Sequence, residues 1–102
     1  MPRQAGGDSL GNYRIFETDE YLKKISKLPP RNAASIQKKL QSYVYSQLFE
    51  NPFYGKNIKK LKDYDPETWR YRIDKYRLFY LIDEDEKIIY LLTIDLRKDA
   101  YW

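Results

Sequence analysis

Arginine and lysine are the side chains whose spacing best suits chemistry in this sequence. Between residues 55 and 77, eight basic residues stand against four acidic ones, an excess equal to the formal charge of +4 of the whole chain. Such a surface attracts polyanions, and fixed arginines can stabilise the charge that develops on a phosphate during cleavage. A basic run taken alone is more often a solvated surface that keeps a protein soluble, so this alternative stays open.

Three arginines within the basic run give a more specific signal for anion binding. Arg70 and Arg72 lie two residues apart on a predicted strand, so both point to one face of the sheet. Arg77 follows a short turn and is expected nearby on the next strand. Three guanidinium groups on one surface favour a bound anion, and phosphate matches the arginine fork. The equally weighted alternative is a set of structural ion pairs with nearby carboxylates, namely Asp74, Asp95 and Glu67.

Other polar residues extend this candidate surface. At the C-terminal end, Arg97 and Tyr101 form a second polar group. Tyr101 could stack on a base, or it could simply pack with Trp102 at a frayed end. The lysines expected to contact a polyanion are Lys59, Lys60, Lys62, Lys75 and Lys98.

Several chemistries are excluded by residue type. The chain contains no histidine and no cysteine, which excludes a histidine general base, a disulfide framework and thiolate metal sites. Asp63, Asp65 and Glu67 alternate in a predicted loop, but they lack the glycine and distal glutamate of a calcium loop, which favours a solvated turn. Residues 83–86 read as a hairpin turn. We therefore expect neither a metal nor a cofactor.

The elements that must position these residues follow from periodicity. Residues 13–17 are β-prone, and Thr18 can cap a helix whose apolar residues recur at helical spacing up to the prolines at 29 and 30. A second helix is expected from about residue 30 to Asn51. Its apolar stripe consists of Ala33, Ile36, Leu40, Tyr43, Val44 and Leu48.

After residue 67 the apolar period changes to two. Residues 69–73, 76–82 and 87–95 predict three strands joined by tight turns, whereas residues 52–67 read as a basic loop. The order β-α-α-β-β-β predicts an α+β fold, with one mainly antiparallel sheet and a helical hairpin packed on one face. We expect one domain over residues 13–102 after a disordered tail at residues 1–12. No signal peptide or membrane span is apparent, which suits a cytoplasmic protein.

The motifs in this order resemble those of RelE/ParE-superfamily toxins from type II toxin–antitoxin systems. The resemblance covers about residues 13–101. Its C-terminal half carries the motifs Lys60-Leu61-Lys62, Tyr71-Arg72-Ile73, Tyr76-Arg77-Leu78-Phe79-Tyr80 and Arg97-Lys98-Asp99-Ala100-Tyr101. The order and spacing of the motifs are more specific than any one of them. Many relatives carry histidine where Leu96 stands here.

The resemblance implies a metal-independent endoribonuclease that cleaves mRNA on the ribosome and inhibits translation. The RNA 2′-hydroxyl would attack its own phosphodiester. The implied catalytic residues are Arg72, Arg77, Arg97 and Tyr101, and Arg70 joins the five lysines above as an RNA-binding residue. The implied partners are a cognate antitoxin, mRNA and the ribosome. Two alternatives stay open: a ParE-like inhibitor of DNA gyrase, and an inactive binding protein with the toxin fold.

Overall fold

The computed structural model describes residues 12–96 and confirms the expected α+β architecture. The strands are β1 (Arg14–Glu17), β2 (Ile58–Lys60), β3 (Trp69–Ile73), β4 (Tyr76–Asp83) and β5 (Ile88–Leu96). The helices are α1 (Asp19–Ser26), α2 (Pro30–Lys39) and α3 (Tyr45–Glu50), and a π-helical turn (Leu40–Val44) joins α2 to α3. The strands expected at residues 69–73, 76–82 and 87–95 lie within one residue of their predicted bounds.

All five strands form one sheet in the order β1-β5-β4-β3-β2. β1 runs parallel to β5, and the other neighbours are antiparallel. The prediction that residues 52–67 form a loop is wrong at β2, where Ile58 pairs with Tyr71 on β3. Because β2 has only three residues, alternation within it is too short to give a strand signal, and its pairing with β3 stabilises it.

Thr18 begins α1 as the sequence predicted. Its side chain accepts a hydrogen bond from the backbone N–H of Tyr21 at 3.2 Å, which satisfies one of the free donors at the helix start. Asp19 and Glu20 occupy the first turn, where the helix dipole favours negative charge. The local sequence therefore fixes where α1 begins.

The second helical segment buries a stripe spaced at intervals of four residues: Ile36, Leu40, Val44 and Leu48. A regular α-helix turns about 100° per residue, so a stripe at this spacing drifts by about 40° at each step. The π-helical turn winds more slowly, because its hydrogen bonds span five residues, and this reduces the drift. Tyr43, which was expected in the stripe, is 44% exposed.

Tyrosine hydroxyls inside the core are bonded to protein atoms. Tyr71 donates to Oε1 of Gln47 at 2.6 Å, and Tyr80 donates to the backbone carbonyl of Pro52 at 2.7 Å. Burial raises the pKa of the Tyr80 hydroxyl well above its usual value. As neutral donors, these tyrosines therefore join the sheet to α3 and to the segment that follows it. None of the helices within residues 12–96 is long and apolar enough to cross a membrane.

Candidate anion-binding site on the open face of the sheet

The sheet has two chemically different faces. The packed face buries the alternate residues of β3 and β4 against the core, including Tyr71, Ile73 and Leu78. We call the other side the open face. It carries Arg70 and Arg72 on β3, and the open-face residues of the neighbouring strands are Lys59, Arg77, Phe79, Leu81, Tyr90, Thr93 and Asp95. Alternation along each strand is what separates the arginines from the apolar core.

Arg72 and Arg77 are directly opposite one another across β3 and β4. The backbone N–H of Arg72 donates to the carbonyl of Asn57 at 2.9 Å, on the side of β2. It therefore does not donate to the backbone carbonyl of Arg77. The two arginines therefore form a pair without mutual backbone bonds, the type in which opposite Cα atoms lie about 4.5 Å apart. The predicted proximity of these two arginines is present at the level of the backbone.

A two-residue turn sets this register. Asp74, its first residue, has a φ of 55°, a left-handed conformation that aspartate tolerates better than most residues. The Asp74 carboxylate binds Nζ of Lys39 at 2.5 Å, which ties the turn to α2. The short hairpin that the sequence predicted thus brings Arg72 and Arg77 together.

Arg70 is anchored beside this pair. Its Nη1 donates to the carbonyl of Asn57 at 2.8 Å, the same carbonyl that accepts from Arg72. Lys59 on β2 is the register partner of Arg70, so a fourth cationic side chain joins the open face. Sequence reasoning missed Asn57, because its contribution is a backbone carbonyl placed by the unpredicted strand β2.

The three carboxylates that could have neutralised the arginines are each paired with a lysine. Besides the contact of Asp74 with Lys39, Oδ1 of Asp95 binds Nζ of Lys24 at 2.5 Å, and Oε2 of Glu67 binds Nζ of Lys60 at 2.6 Å. Arg72 is exposed, and within residues 12–96 its side chain takes part in no ion pair. The arrangement leaves this guanidinium accessible to an anion from solution.

The other candidate lysines are placed differently. Lys60 is the register partner of Trp69 and not of an arginine, so it points away from the open face. Lys62 is exposed beyond the end of β2, and Lys75 is exposed in the turn between β3 and β4. Three further candidates lie outside the described residues: Arg97, Lys98 and Tyr101.

Metal ligands do not gather in the part of the chain that the structure describes, where no group of three or more histidine, cysteine, aspartate or glutamate residues could hold an ion. Asp63 and Asp65 line a surface hollow together with Lys60 and Lys62, and both carboxylates are exposed. The cationic groups that the open face offers are the guanidinium groups of Arg70, Arg72 and Arg77 and the ammonium group of Lys59.

A β-bulge was also missed by the sequence analysis. In the pairing of β4 with β5, Phe79 faces Thr93 and Tyr80 faces Leu91, so Leu92 is an extra residue without a partner. Thr18 holds this point: its hydroxyl donates to the carbonyl of Leu91 at 2.6 Å. Strict alternation cannot reveal such an insertion, because a bulge reverses the facing of every later residue.

Comparison with known proteins identifies the family. Residues 17–101 match the family described as ParE toxin of the type II toxin–antitoxin system parDE. A protein named toxin RelE1 from Methanocaldococcus jannaschii is 32% identical over 80 residues, which is 78% of this chain and 84% of that protein.

Two solved structures share the fold. The toxin–antitoxin complex RelBE2 of Mycobacterium tuberculosis has a chain that is 26% identical, with a TM-score of 0.64, covering 84% of this chain and 99% of that chain. The archaeal RelE–RelB complex of Pyrococcus horikoshii gives 21% identity and a TM-score of 0.65, over 87% of this chain and 99% of that chain. With its sheet, helical pair and matching sequence, the chain belongs to the ParE toxin family, within the RelE/ParE superfamily of toxins from type II toxin–antitoxin systems.

Proposed function

We propose that this toxin is a metal-independent endoribonuclease that cleaves mRNA on the ribosome and so inhibits translation. The observation that carries the proposal is the open-face pair of Arg72 and Arg77, with Arg70 and Lys59 beside it. This arrangement supports recognition of a phosphodiester because the nearby carboxylates of Asp74, Asp95 and Glu67 are bound to lysines.

In the proposed reaction, the 2′-hydroxyl oxygen of the RNA attacks the adjacent phosphorus. A bond from O2′ to phosphorus forms and the bond to O5′ breaks, which leaves a 2′,3′-cyclic phosphate and a 5′-hydroxyl. The proton from the 2′-hydroxyl passes to solvent, and another reaches the leaving oxygen. The phosphorane formed on the way carries more negative charge than the substrate. Fixed guanidinium groups of Arg72 and Arg77 therefore stabilise it more strongly than the ground state.

Arg97 and Tyr101 complete the proposed catalytic set. Arg97 would add positive charge at the phosphate, and Tyr101 would stack on a base and orient the nucleotide. In a protein without histidine, accurate positioning of the reactants must supply much of the rate enhancement. The ribosome, which holds mRNA in a fixed path, is a suitable source of that positioning.

A cognate antitoxin is the proposed protein partner. Two related structures are complexes of RelE-type toxins with RelB antitoxins. A segment with acidic residues would complement the basic part of the open face and keep the toxin inactive.

Inhibition of DNA gyrase is the second candidate function. The observation that favours it is the match to the family described as ParE toxin. One fold can host both activities, so the fold cannot decide between them. The two candidates differ in what they require of the open-face arginines, because a gyrase inhibitor need not stabilise a phosphorane.

A pulse-expression experiment separates these functions. The wild type, Arg77→Ala and Lys38→Ala are each induced briefly without antitoxin. Primer extension maps breaks in a reporter mRNA, and gel electrophoresis measures the supercoiling of a plasmid. Lys38 is the matched control because it is an exposed lysine on α2, away from the open face.

For a ribonuclease we expect mRNA breaks with the wild type and with Lys38→Ala, and far fewer breaks with Arg77→Ala. Plasmid supercoiling should stay unchanged with all three proteins. Loss of supercoiling without mRNA breaks would instead identify a gyrase inhibitor. Growth arrest and mRNA breaks of equal strength with all three proteins would remove the role assigned to Arg77.

A further inference from the structure

Strand β4 carries a charge pattern on the open face that is complementary to its own reverse. Its open-face residues are, in order, Arg77, Phe79, Leu81 and Asp83, which are a cation, two apolar side chains and a carboxylate. Six residues of extended strand separate Arg77 from Asp83 by about 20 Å, so the two charges cannot meet within one molecule. A second copy turned end for end presents its carboxylate opposite the cation and its apolar side chains opposite apolar ones.

The segments beside β4 continue this pattern. At one end, further cations lie beside Arg77: Lys59, Arg70 and Arg72. At the other end, carboxylates and apolar side chains line one surface hollow: Glu67, Leu81, Asp83, Asp85 and Tyr90. The open face therefore has a basic end and an acidic end. Two residues depart from this division, namely Asp95, whose charge is offset by Lys24, and Arg14 on the edge strand β1.

Charges at both ends of the open face have no ionic partner. Within residues 12–96, the carboxylates of Asp83, Glu84 and Asp85 take part in no ion pair. The same is true of the side chains of Arg72 and Lys59, which are exposed. The two ends lie further apart than the screening length of about 8 Å at physiological salt. Their attraction is therefore effective only between molecules.

The middle of the open face is apolar and aromatic. Phe16 on β1 lies edge-on to Tyr90 on β5, with ring centres 5.6 Å apart, and Phe16 is 54% exposed. Phe79 and Leu81 are partly exposed on β4. Exposed apolar side chains gathered on one face are typical of a protein contact surface. Two such sheets stacked about 10 Å apart, with their strands nearly aligned, would cover these side chains.

We propose that the open face binds the open face of a second copy of this chain in a reversible, two-fold homodimer. The axis crosses β4 between Phe79 and Leu81, so the basic end of each copy lies against the acidic end of the other. Each contact then occurs twice. Strand spacing and length give the five-stranded face a plan area of about 600 Å², below the roughly 800 Å² per partner of a standard interface. We therefore expect a dimer with a micromolar Kd.

Such a dimer covers the cations that are proposed to bind RNA. This consequence rests on the proposed ribonuclease function, whereas the association itself does not. At high concentration the free toxin holds its own site closed, and RNA competes with the second copy for the open face. Dilution or a polyanion would open the site.

Sedimentation velocity of the full-length chain, at roughly 5–500 µM, tests the association around a micromolar Kd. We expect a monomer–dimer equilibrium that salt weakens. Arg72→Glu and Asp85→Lys each place like charges at the interface and should raise the dimer Kd by about tenfold or more. The double variant exchanges the two charges and should return the Kd close to that of the wild type.

Lys38→Glu is the matched control. It changes the net charge by the same amount as Arg72→Glu, but at an exposed position on α2 away from the open face. Its dimer Kd should stay near that of the wild type. Circular dichroism checks that each variant is folded. Because Asp85 is exposed in a turn, Asp85→Lys keeps the test available even if Arg72→Glu fails to fold.

A wild type that remains monomeric at every concentration would overturn the proposal and leave the open face to a different partner, such as the antitoxin. A double variant that associates no better than the single variants would overturn it as well, as would equal weakening by Lys38→Glu and Arg72→Glu. None of these measurements requires RNA, so a failure here is distinguishable from a failure of the proposed ribonuclease function.

Discussion

β3 and β4 serve two different purposes on their two faces. On the packed face Leu78 and Tyr80 are fully buried, and the Tyr80 hydroxyl is bonded within the protein. One residue away, on the open face, Arg77 and Phe79 are half-buried and Arg72 is exposed. This difference shows that the side chains that stabilise the fold and the side chains that carry the proposed activity lie at adjacent positions along each strand. Substitutions at adjacent positions should therefore have qualitatively different effects.

The largest effect is expected on the packed face. Leu78→Ala removes a fully buried side chain and should lower the free energy of unfolding by about 2–5 kcal/mol, because the cavity cannot close fully. Phe79→Ala removes a larger but half-buried side chain and should cost less. Urea denaturation monitored by circular dichroism measures both. An equal or larger loss for Phe79→Ala would contradict the distinction between the faces.

Arg77→Ala should reduce RNA cleavage strongly and change the stability of the fold little. Removing one donor to the developing charge lowers the rate of RNA cleavage by about a hundredfold or more, equivalent to about 2.7 kcal/mol in activation free energy. The urea midpoint should change much less than that of Leu78→Ala. Single-turnover cleavage of mRNA on purified ribosomes measures the rate. A rate that falls only in proportion to the folded fraction would assign Arg77 to stability.

Tyr80→Phe tests whether a polar group on the packed face affects stability alone. It deletes the hydroxyl that donates to the Pro52 carbonyl and leaves that acceptor without this partner, at a cost of about 1–3 kcal/mol. Cleavage by the folded fraction should remain as in the wild type. A selective loss of cleavage in a stable variant would show that the packed face contributes to chemistry.

Alkaline pH provides the most gradual effect on the free energy of unfolding, at most about 1.4 kcal/mol for each pH unit. Burial raises the pKa of Tyr21 from its usual 10.0 to about 12, although a hydrogen bond with Tyr45 opposes the rise. Because the pKa of Tyr21 is higher in the folded state than in the unfolded state, the unfolded state loses this proton first. The free energy of unfolding therefore keeps its full value below pH 10 and decreases as the pH rises toward 12. Tyr21→Phe should therefore reduce the slope of unfolding free energy against pH in this window by up to about 1.4 kcal/mol per pH unit. An unchanged slope would contradict the raised pKa.

The fold was largely predictable because its signals are local. Alternation located β3, β4 and β5, and Thr18 followed by Asp19 and Glu20 marked the start of α1. Strand β2 was not predictable, since its three residues become a strand only by pairing with β3. The π-helical turn at Leu40–Val44 likewise depends on how the helix meets the sheet.

The candidate site was predictable in part. The spacing of Arg70, Arg72 and Arg77 placed all three on one face, and the register agrees with that placement. Which lysine pairs with which carboxylate depends on contacts between residues far apart in sequence, as in Lys24 with Asp95. The position of Asp95 depends in addition on the bulge at Leu92, which no periodic pattern indicates.

The most direct test of the central claim is the salt dependence of RNA binding. A non-cleavable oligonucleotide with a 2′-deoxy substitution at the scissile position is titrated at several salt concentrations, and the slope of log K against log salt is compared among variants. Each lost phosphate contact should make the slope shallower by about 0.7. We predict this change for Arg72→Ala and for Arg77→Ala, and the wild-type slope for Lys38→Ala. Equal slopes for all four proteins would contradict the claim that the open face binds the RNA phosphates.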